Sequence, residues 1–335
     1  MKSKFFCLAV GALCGPAVAQ SNASINGLID TSIGSFQTAG ATRTSQLASG
    51  SMTTSWFGLR GSEELDGGVR VNFALESFLR ADTGNSGRFP GDGFFTRNAF
   101  VGLQGNFGTV RLGRNTTPLF VSALLFNAFG DSFGFSPSIR QQFTPSTGLA
   151  FFGDTGWNNS LAYVSPSVAG LTAELLVNAG EGAAGATGNN LSVAGRYSSG
   201  PLSAAATWQR VRNGAFSTPA GWTRQDTWQL GASYDLSAIK LFGQVSRVRT
   251  AATLKTRSDL LGLGASVPLG SGRFLLQYGA TNAYLGSSEV SNRTLSMGYN
   301  LPLSKRTDAY VVAMRDSLTA KNIGNSVAIG LRARF

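Results

Sequence analysis

The sequence predicts an all-β fold, a closed antiparallel transmembrane β-barrel of sixteen strands. Three observations carry that expectation. Short segments alternate apolar with polar or small residues at a period of two. No segment supplies the roughly 20 consecutive apolar residues that a spanning helix needs. The connections alternate between tight turns and long Gly/Ser/Thr-rich stretches, as in barrels that cross a membrane.

Taken from the amino end, Lys2 and Lys4 precede the apolar run Phe5 to Leu13, and Ala17-Val18-Ala19 supplies small residues before Gln20. Residues 1–19 therefore read as a cleaved export signal. The run is too short for an anchor, and Leu13 before Cys14 is too bulky for a lipoprotein site. The remainder, 20–335, shows no linker, charge block or shift of composition, so it reads as one domain. Both cysteines, Cys7 and Cys14, fall inside the signal, and histidine is absent. That excludes a disulfide, a thiolate nucleophile, an imidazole base and a His/Cys metal site in the mature chain. No cofactor or metal is expected, and the Asp, Glu and Ser residues form no recognisable catalytic constellation. Without Lys2 and Lys4 the 28 basic residues become 26 against 17 acidic ones, a formal charge of +9. This balance favours anionic solutes, acidic polysaccharide or lipopolysaccharide phosphates. The arginines stand singly along strands without a basic run, which argues against nucleic acid.

Strands are expected near 23–36, 51–62, 69–81, 94–105, 109–115, 156–165, 171–178, 190–198, 202–211, 225–235, 238–249, 258–268, 272–282, 290–300, 307–318 and 324–335. In the third, Val69, Val71, Phe73 and Leu75 oppose Arg70, Asn72, Ala74 and Glu76. In the seventh, Leu171, Ala173, Leu175 and Val177 alternate with Thr172, Glu174 and Asn178. In the twelfth, Leu261, Leu263, Ala265 and Val267 alternate with Gly262, Gly264 and Ser266. The last places Val327, Ile329, Leu331, Ala333 and Phe335 on one face and Ala328, Gly330, Arg332 and Arg334 on the other. Small and charged residues on the second face suit a wet lumen better than a packed core. Tight turns at Asp66-Gly67-Gly68, Asn106-Phe107-Gly108, Ser199-Gly200-Pro201 and Leu269-Gly270-Ser271 are interleaved with long stretches at 37–50, 82–93, 179–189 and 212–224. A barrel of sixteen strands encloses water, and closure satisfies every backbone group that lipid would leave unpaired. The terminal aromatic, Phe335, closes an alternating strand and reads as a signal for the barrel assembly machinery.

Several motifs in order give the chain a resemblance to a known family. They are Asn26-Gly27-Leu28-Ile29-Asp30, Trp56-Phe57-Gly58-Leu59-Arg60-Gly61-Ser62-Glu63-Glu64-Leu65, Arg97-Asn98-Ala99-Phe100-Val101-Gly102-Leu103 and Gly105-Asn106-Phe107-Gly108-Thr109-Val110-Arg111-Leu112-Gly113-Arg114. Asn158-Asn159-Ser160-Leu161-Ala162-Tyr163, Leu303-Ser304-Lys305-Arg306-Thr307-Asp308 and Gly330-Leu331-Arg332-Ala333-Arg334-Phe335 complete the series. With these the chain resembles the trimeric general porins of Gram-negative bacteria, in particular the neisserial and betaproteobacterial branch. The resemblance implies a homotrimer in the outer membrane, bathed in lipid and lipopolysaccharide. It also implies passive diffusion of small hydrophilic solutes and ions, and a long third loop folded into the lumen as a constriction.

That loop corresponds to 116–155, too long to be structureless in a compact domain without a function. Its Phe120, Phe126, Phe129, Phe133, Phe135 and Phe143 either pin it to the wall or line a slide for apolar and aromatic solutes. By the resemblance, arginines on the wall face acids on the loop across the pore. Arg97 matches one such wall position, Arg60 another, and Arg70 lies on the lumen parity of the third strand. Trp56 stands where the family usually places an arginine, and Gly156 where another basic residue is common. Asp131 is the acid near the loop tip, and Asp154 lies at its far end. The expected result is a weak anion preference, with selectivity for aromatic or organic anions as the alternative. Arg114 shares the parity of Val110 and Leu112 and is expected to face outward, where lipid makes a charge cost roughly 2–4 kcal/mol. A subunit interface or the membrane edge would relieve it.

Overall fold

The computed structural model describes residues 22–179, 189–215 and 217–335, so the expected export signal lies outside the described residues. Sixteen strands build the wall among them: β1 (Asn22–Phe36), β2 (Trp56–Glu64), β3 (Arg70–Arg80), β4 (Asn98–Gly105), β5 (Gly108–Thr116), β6 (Gly156–Val164), β7 (Leu171–Asn178) and β8 (Asn190–Ser199). They continue as β9 (Leu202–Val211), β10 (Arg224–Asp235), β11 (Lys240–Ala251), β12 (Thr256–Leu269), β13 (Gly272–Leu285), β14 (Ser288–Pro302), β15 (Thr307–Leu318) and β16 (Gly324–Arg334). Every neighbour is antiparallel, and β1 pairs with β16 from Leu28↔Arg334 to Ser35↔Val327, which closes the cylinder. Past the end of β16, Gly27 and Phe335 exchange both backbone hydrogen bonds at 3.1 Å.

The period of two sorts the side chains as expected. Val327, Ile329 and Leu331 are exposed on the outside while Ala328 is buried inside. Leu276, Tyr278 and Leu295 face outward, and Gln277, Thr281 and Thr294 between them are buried in the lumen. The second strand departs from its expected start. Its wall segment begins at Trp56, and residues 51–55 turn into the barrel because Asp30 captures their backbone. Asp30 Oδ2 accepts from the amides of Met52 at 2.8 Å and Thr53 at 2.7 Å, and Oδ1 accepts from the Tyr310 hydroxyl at 2.5 Å. A ribbon at Thr44–Ser49 takes over pairing with the outer half of β1.

The loop between β5 and β6 folds into the lumen and carries two short helices, α1 (Pro118–Leu125) and α2 (Pro137–Phe143). Each starts on the same signal, a hydroxyl cap followed by proline. Thr117 accepts from the Phe120 amide and Ser136 from the Ile139 amide. The wall is carved to seat the loop. Lumen-facing Gly231 lies against the Phe126 ring, Gly262 against Ser138 and Gly279 against Pro137, so that a Cβ at any of them would overlap the loop. Polar side chains fasten it: Gln141 donates to Thr294 Oγ1 at 2.9 Å and accepts from Thr281 Oγ1 at 2.8 Å, and Gln277 donates to Ser138 Oγ at 2.8 Å. Ser132 ties the tip to the Ser51 carbonyl at 2.7 Å. Phe129 and Phe135 sink into an apolar cluster with Met52, Tyr310, Val312 and Met314.

Gly279→Val should drive a side chain into Pro137 and lift α2 from its seat. The expected outcome is a barrel that still shows heat-modifiable migration in gels, with faster amide exchange confined to residues 118–143. Unchanged exchange there would contradict the seating described.

Candidate functional site

Facing the seated loop across the lumen is a wall of paired charges whose positions follow from strand register. Gly58 on β2 pairs with Glu76 on β3, so Trp56 and Arg60, two residues to either side of Gly58 on the same face, flank the carboxylate. On the other side Glu76 pairs with Asn98, the first residue of β4, and Arg97 precedes it. Arg60 and Arg97 each donate to a different oxygen of Glu76, and Asn98 Nδ2 adds a third hydrogen bond at 2.7 Å. The Arg97 guanidinium also lies 4.0 Å from the centre of the Trp56 ring, and that of Arg60 lies 5.6 Å from it. These are cation–π distances, so Trp56 helps to hold its two basic neighbours in place. The Glu76 side chain is fully buried, whereas the side chains of Arg60 and Arg97 are 51% and 27% exposed. A solute therefore meets the cations, and the anion lies beneath them. A second layer repeats the arrangement, with Arg196 paired to the more buried Glu174 and with Arg111 beside both Glu174 and Arg60.

From the loop side, Asp131 comes into the field of Arg97 and Arg332 and hydrogen-bonds Thr53. Arg332 in turn donates to Thr53 Oγ1 at 2.9 Å and to Asp308 Oδ2 at 2.9 Å. The site thus gathers Trp56, Arg60, Arg97 and Asp131. Arg70 is not among them. It lies six residues from Glu76 along an extended strand, roughly 20 Å away, and pairs with Glu64 at 2.5 Å beside the short 66–68 turn. Lumen parity places a residue on the correct face without fixing its height, which is why this expectation is corrected. Arg114 has partners that parity alone does not reveal. A bulge between Gly113 and Asn115 interrupts the β5 ladder, and the Arg114 side chain is mostly buried near the loop end of its strand. It donates to the Thr96 carbonyl at 2.6 Å, Asn158 Oδ1 at 2.8 Å and Asp154 Oδ2 at 3.3 Å. Its charge is met within the chain.

Glu76 and Glu174 are the residues that sequence reading did not assign to the site. Their signal was present, because both share lumen parity with basic or polar neighbours. Pairing across strands was needed to see which arginines they neutralise.

Above this layer the loop between β3 and β4 is latched to the inward loop. Arg88 donates to Asp92 Oδ2 at 2.9 Å and to Asp154 Oδ1 at 2.6 Å, and all three side chains are largely buried. Burial pushes both carboxyls up, but the hydrogen bonds and charge of Arg88 outweigh it, so Asp92 and Asp154 lie below the ordinary carboxylate range.

A family model for Gram-negative porins matches residues 7–321. The chain belongs to that family. Outer membrane porin protein 32 of Delftia acidovorans is 34% identical over 328 residues, which span 92% of this chain and 88% of that protein. An outer membrane porin protein of Bordetella pertussis is 26% identical, with 96% of each covered. Among solved structures, the anion-selective porin from Comamonas acidovorans superposes with a TM-score of 0.76 at 27% identity, over 94% of this chain and 100% of that one. The protein is accordingly an outer-membrane porin, a channel for passive diffusion, and the layer around Trp56 and Glu76 faces that channel.

Because the carboxyls of Asp92 and Asp154 are depressed, the latch of this porin is fully formed above the ordinary carboxylate pKa of about 4 and is lost only as pH falls through the lower folded values. Amide exchange across residues 82–97, taken relative to the intrinsic rate at each pH, should therefore stay constant from pH 7 to pH 5 and rise in stronger acid. Asp154→Asn should show the raised exchange already at pH 7, since it leaves Arg88 short of one buried partner.

Proposed function

We propose that this porin admits small hydrophilic solutes with a weak preference for anions, and that the layer of Trp56, Arg60, Glu76, Arg97 and Asp131 sets it. The observation that carries the reading is the difference in exposure within each ion pair. Arg60 and Arg97 present charge to the lumen while Glu76 is covered completely. The preference is weak because the same carboxylate neutralises much of that charge and Asp131 opposes it from the loop. An anion-selective relative of similar fold supports the sign.

Three further readings belong with it. Strands β2, β4, β5, β6 and β7 have only eight or nine residues, which at the usual tilt gives a height of about 22 Å. That is short for an apolar band of about 25 Å, and supports burying this side in a homotrimer. The opposite wall is taller, with 14 or 15 residues in β12, β13 and β14. Its outer surface carries Arg247, Arg249 and Arg293 around a depression bordered by Trp228, Leu230 and Val245. Arginines above an apolar strip suit the phosphates and acyl chains of lipopolysaccharide. Phe335, whose ring lies against Gly27, suits recognition by the assembly machinery.

Reversal potentials across a potassium chloride gradient test the main reading. The shift should favour chloride, Arg97→Ser should reduce it and Glu76→Gln should increase it. Each change should be about two- to threefold in permeability ratio, since a unit charge about 7 Å from an ion in water is worth about 0.6 kcal/mol. A native preference for potassium would refute the assignment.

A further inference from the structure

The phenylalanines of the inward loop fall into two groups with different surroundings. Phe126, Phe129 and Phe135 are buried against the wall, at 3%, 4% and 0% exposure. Phe120, Phe133 and Phe143 remain partly exposed and meet one another, with ring centres 6.0 Å apart for Phe120–Phe133 and 5.2 Å for Phe120–Phe143. Phe143 extends the group to Phe151 at 4.9 Å. Anchorage accounts for the first group and leaves the second unexplained.

Phe133, Phe143 and Phe151 line a cavity of about 300 Å³ together with Arg80, Arg88 and Asp154. Its size sits at the low end of small-ligand sites, about 300–1,000 Å³. The two arginines differ. The charge of Arg88 is consumed by Asp92 and Asp154. Arg80 has no ion pair among the described residues, and its Nε is buried without a hydrogen-bond partner. A buried donor of this kind is costly when unmet. Arg80 lies four residues beyond Glu76 toward the loop end of β3, about 13 Å along the strand, so the cavity stands above the Trp56–Arg97 layer.

We propose that this cavity is a binding site for small aromatic carboxylates, a reading that rests on the channel function above and adds a recognised class of solute. The ring occupies the phenylalanine wall, where edge-to-face contacts favour an aromatic over an aliphatic group. The carboxylate accepts from Arg80, whose planar donors match its two oxygens. Occupancy is brief, as passage through a channel requires. A solute held here is concentrated at the entrance to the charged layer below.

The test uses the detergent-purified porin in planar bilayers, with benzoate as the probe and acetate, benzamide and cyclohexanecarboxylate as comparisons. Benzoate should reduce the potassium chloride current reversibly and saturably, cyclohexanecarboxylate less well, and acetate or benzamide without saturation. Arg80→Gln should raise the half-blocking benzoate concentration about tenfold or more, since both charge-assisted hydrogen bonds to the carboxylate lose their charge, relative to its own unblocked current. Phe143→Leu should weaken the benzoate block and leave the cyclohexanecarboxylate block unchanged. Benzoate acting no more strongly than acetate would overturn the proposal while leaving the channel reading intact. So would a saturable block that survives Arg80→Gln and is lost in Arg97→Ser, which would put binding in the lower layer. A protein that carries no potassium chloride current would overturn both.

Discussion

Closure of the sheet is the constraint from which the rest follows. In hydrocarbon each backbone amide and carbonyl must find a partner within the protein, and an open sheet of this length would leave two bare edges. The pairing of β1 with β16 removes them. Once the wall is closed, alternation along each strand separates an apolar exterior from a polar interior. Interior side chains then have freedom that core residues of soluble proteins lack, because water can meet whatever the protein leaves unpaired. The seam is secured from inside as well: Asp30 on β1 accepts from Tyr310 on β15, across the neighbouring β16, and holds residues 51–55 within the barrel.

The interior is divided by what the loop needs. On the β9–β15 side the wall offers glycine, threonine and glutamine, and the loop covers them so thoroughly that Gln209, Gln229 and Gln277 are almost fully buried. On this side the bonds between Gln277 and Ser138 and between Gln141 and both Thr281 and Thr294 are directional, and with the glycine gaps they fix the loop position. On the β2–β8 side the wall keeps its arginines and remains open to solute. Glu76 serves this side by holding two guanidiniums at fixed positions, which like charges at that spacing would not keep unaided. The cost to selectivity is one negative charge, and burying it beneath the guanidiniums limits that cost.

Much of the fold was legible because period-two alternation and turn residues are local signals. The four strands singled out by parity, those around Val71, Leu175, Leu263 and Ile329, all occur with the expected face outward. The inward loop is legible from its length and from the family resemblance, and its six phenylalanines stand out in the sequence. Their division into anchors and exposed rings depends on wall glycines remote in sequence, such as Gly231 against Phe126 and Gly298 against Phe129. Site residues were harder for the same reason. Parity put Arg60, Arg70 and Glu76 on the lumen face, yet height within the barrel is set by register between strands, and only register separates Arg70 from the others. Arg114 illustrates a different limit. A single bulge and a partner 40 residues ahead, Asp154, decide its environment, and neither leaves a mark in a periodicity.

Selectivity and stability are therefore handled by different features in this porin. The wall and the seated loop are over-determined by many hydrogen bonds and apolar contacts, so few single changes there should alter the channel without first loosening the loop. The charged layer rests on a small number of groups sharing two carboxylates, so substitutions there change the field directly. Trp56 belongs to both systems. Its ring lies directly against the Arg97 guanidinium and puts an aromatic surface into the lumen. An aromatic surface acts on its surroundings through short-range contact, which depends on shape, where a charge would act through long-range attraction.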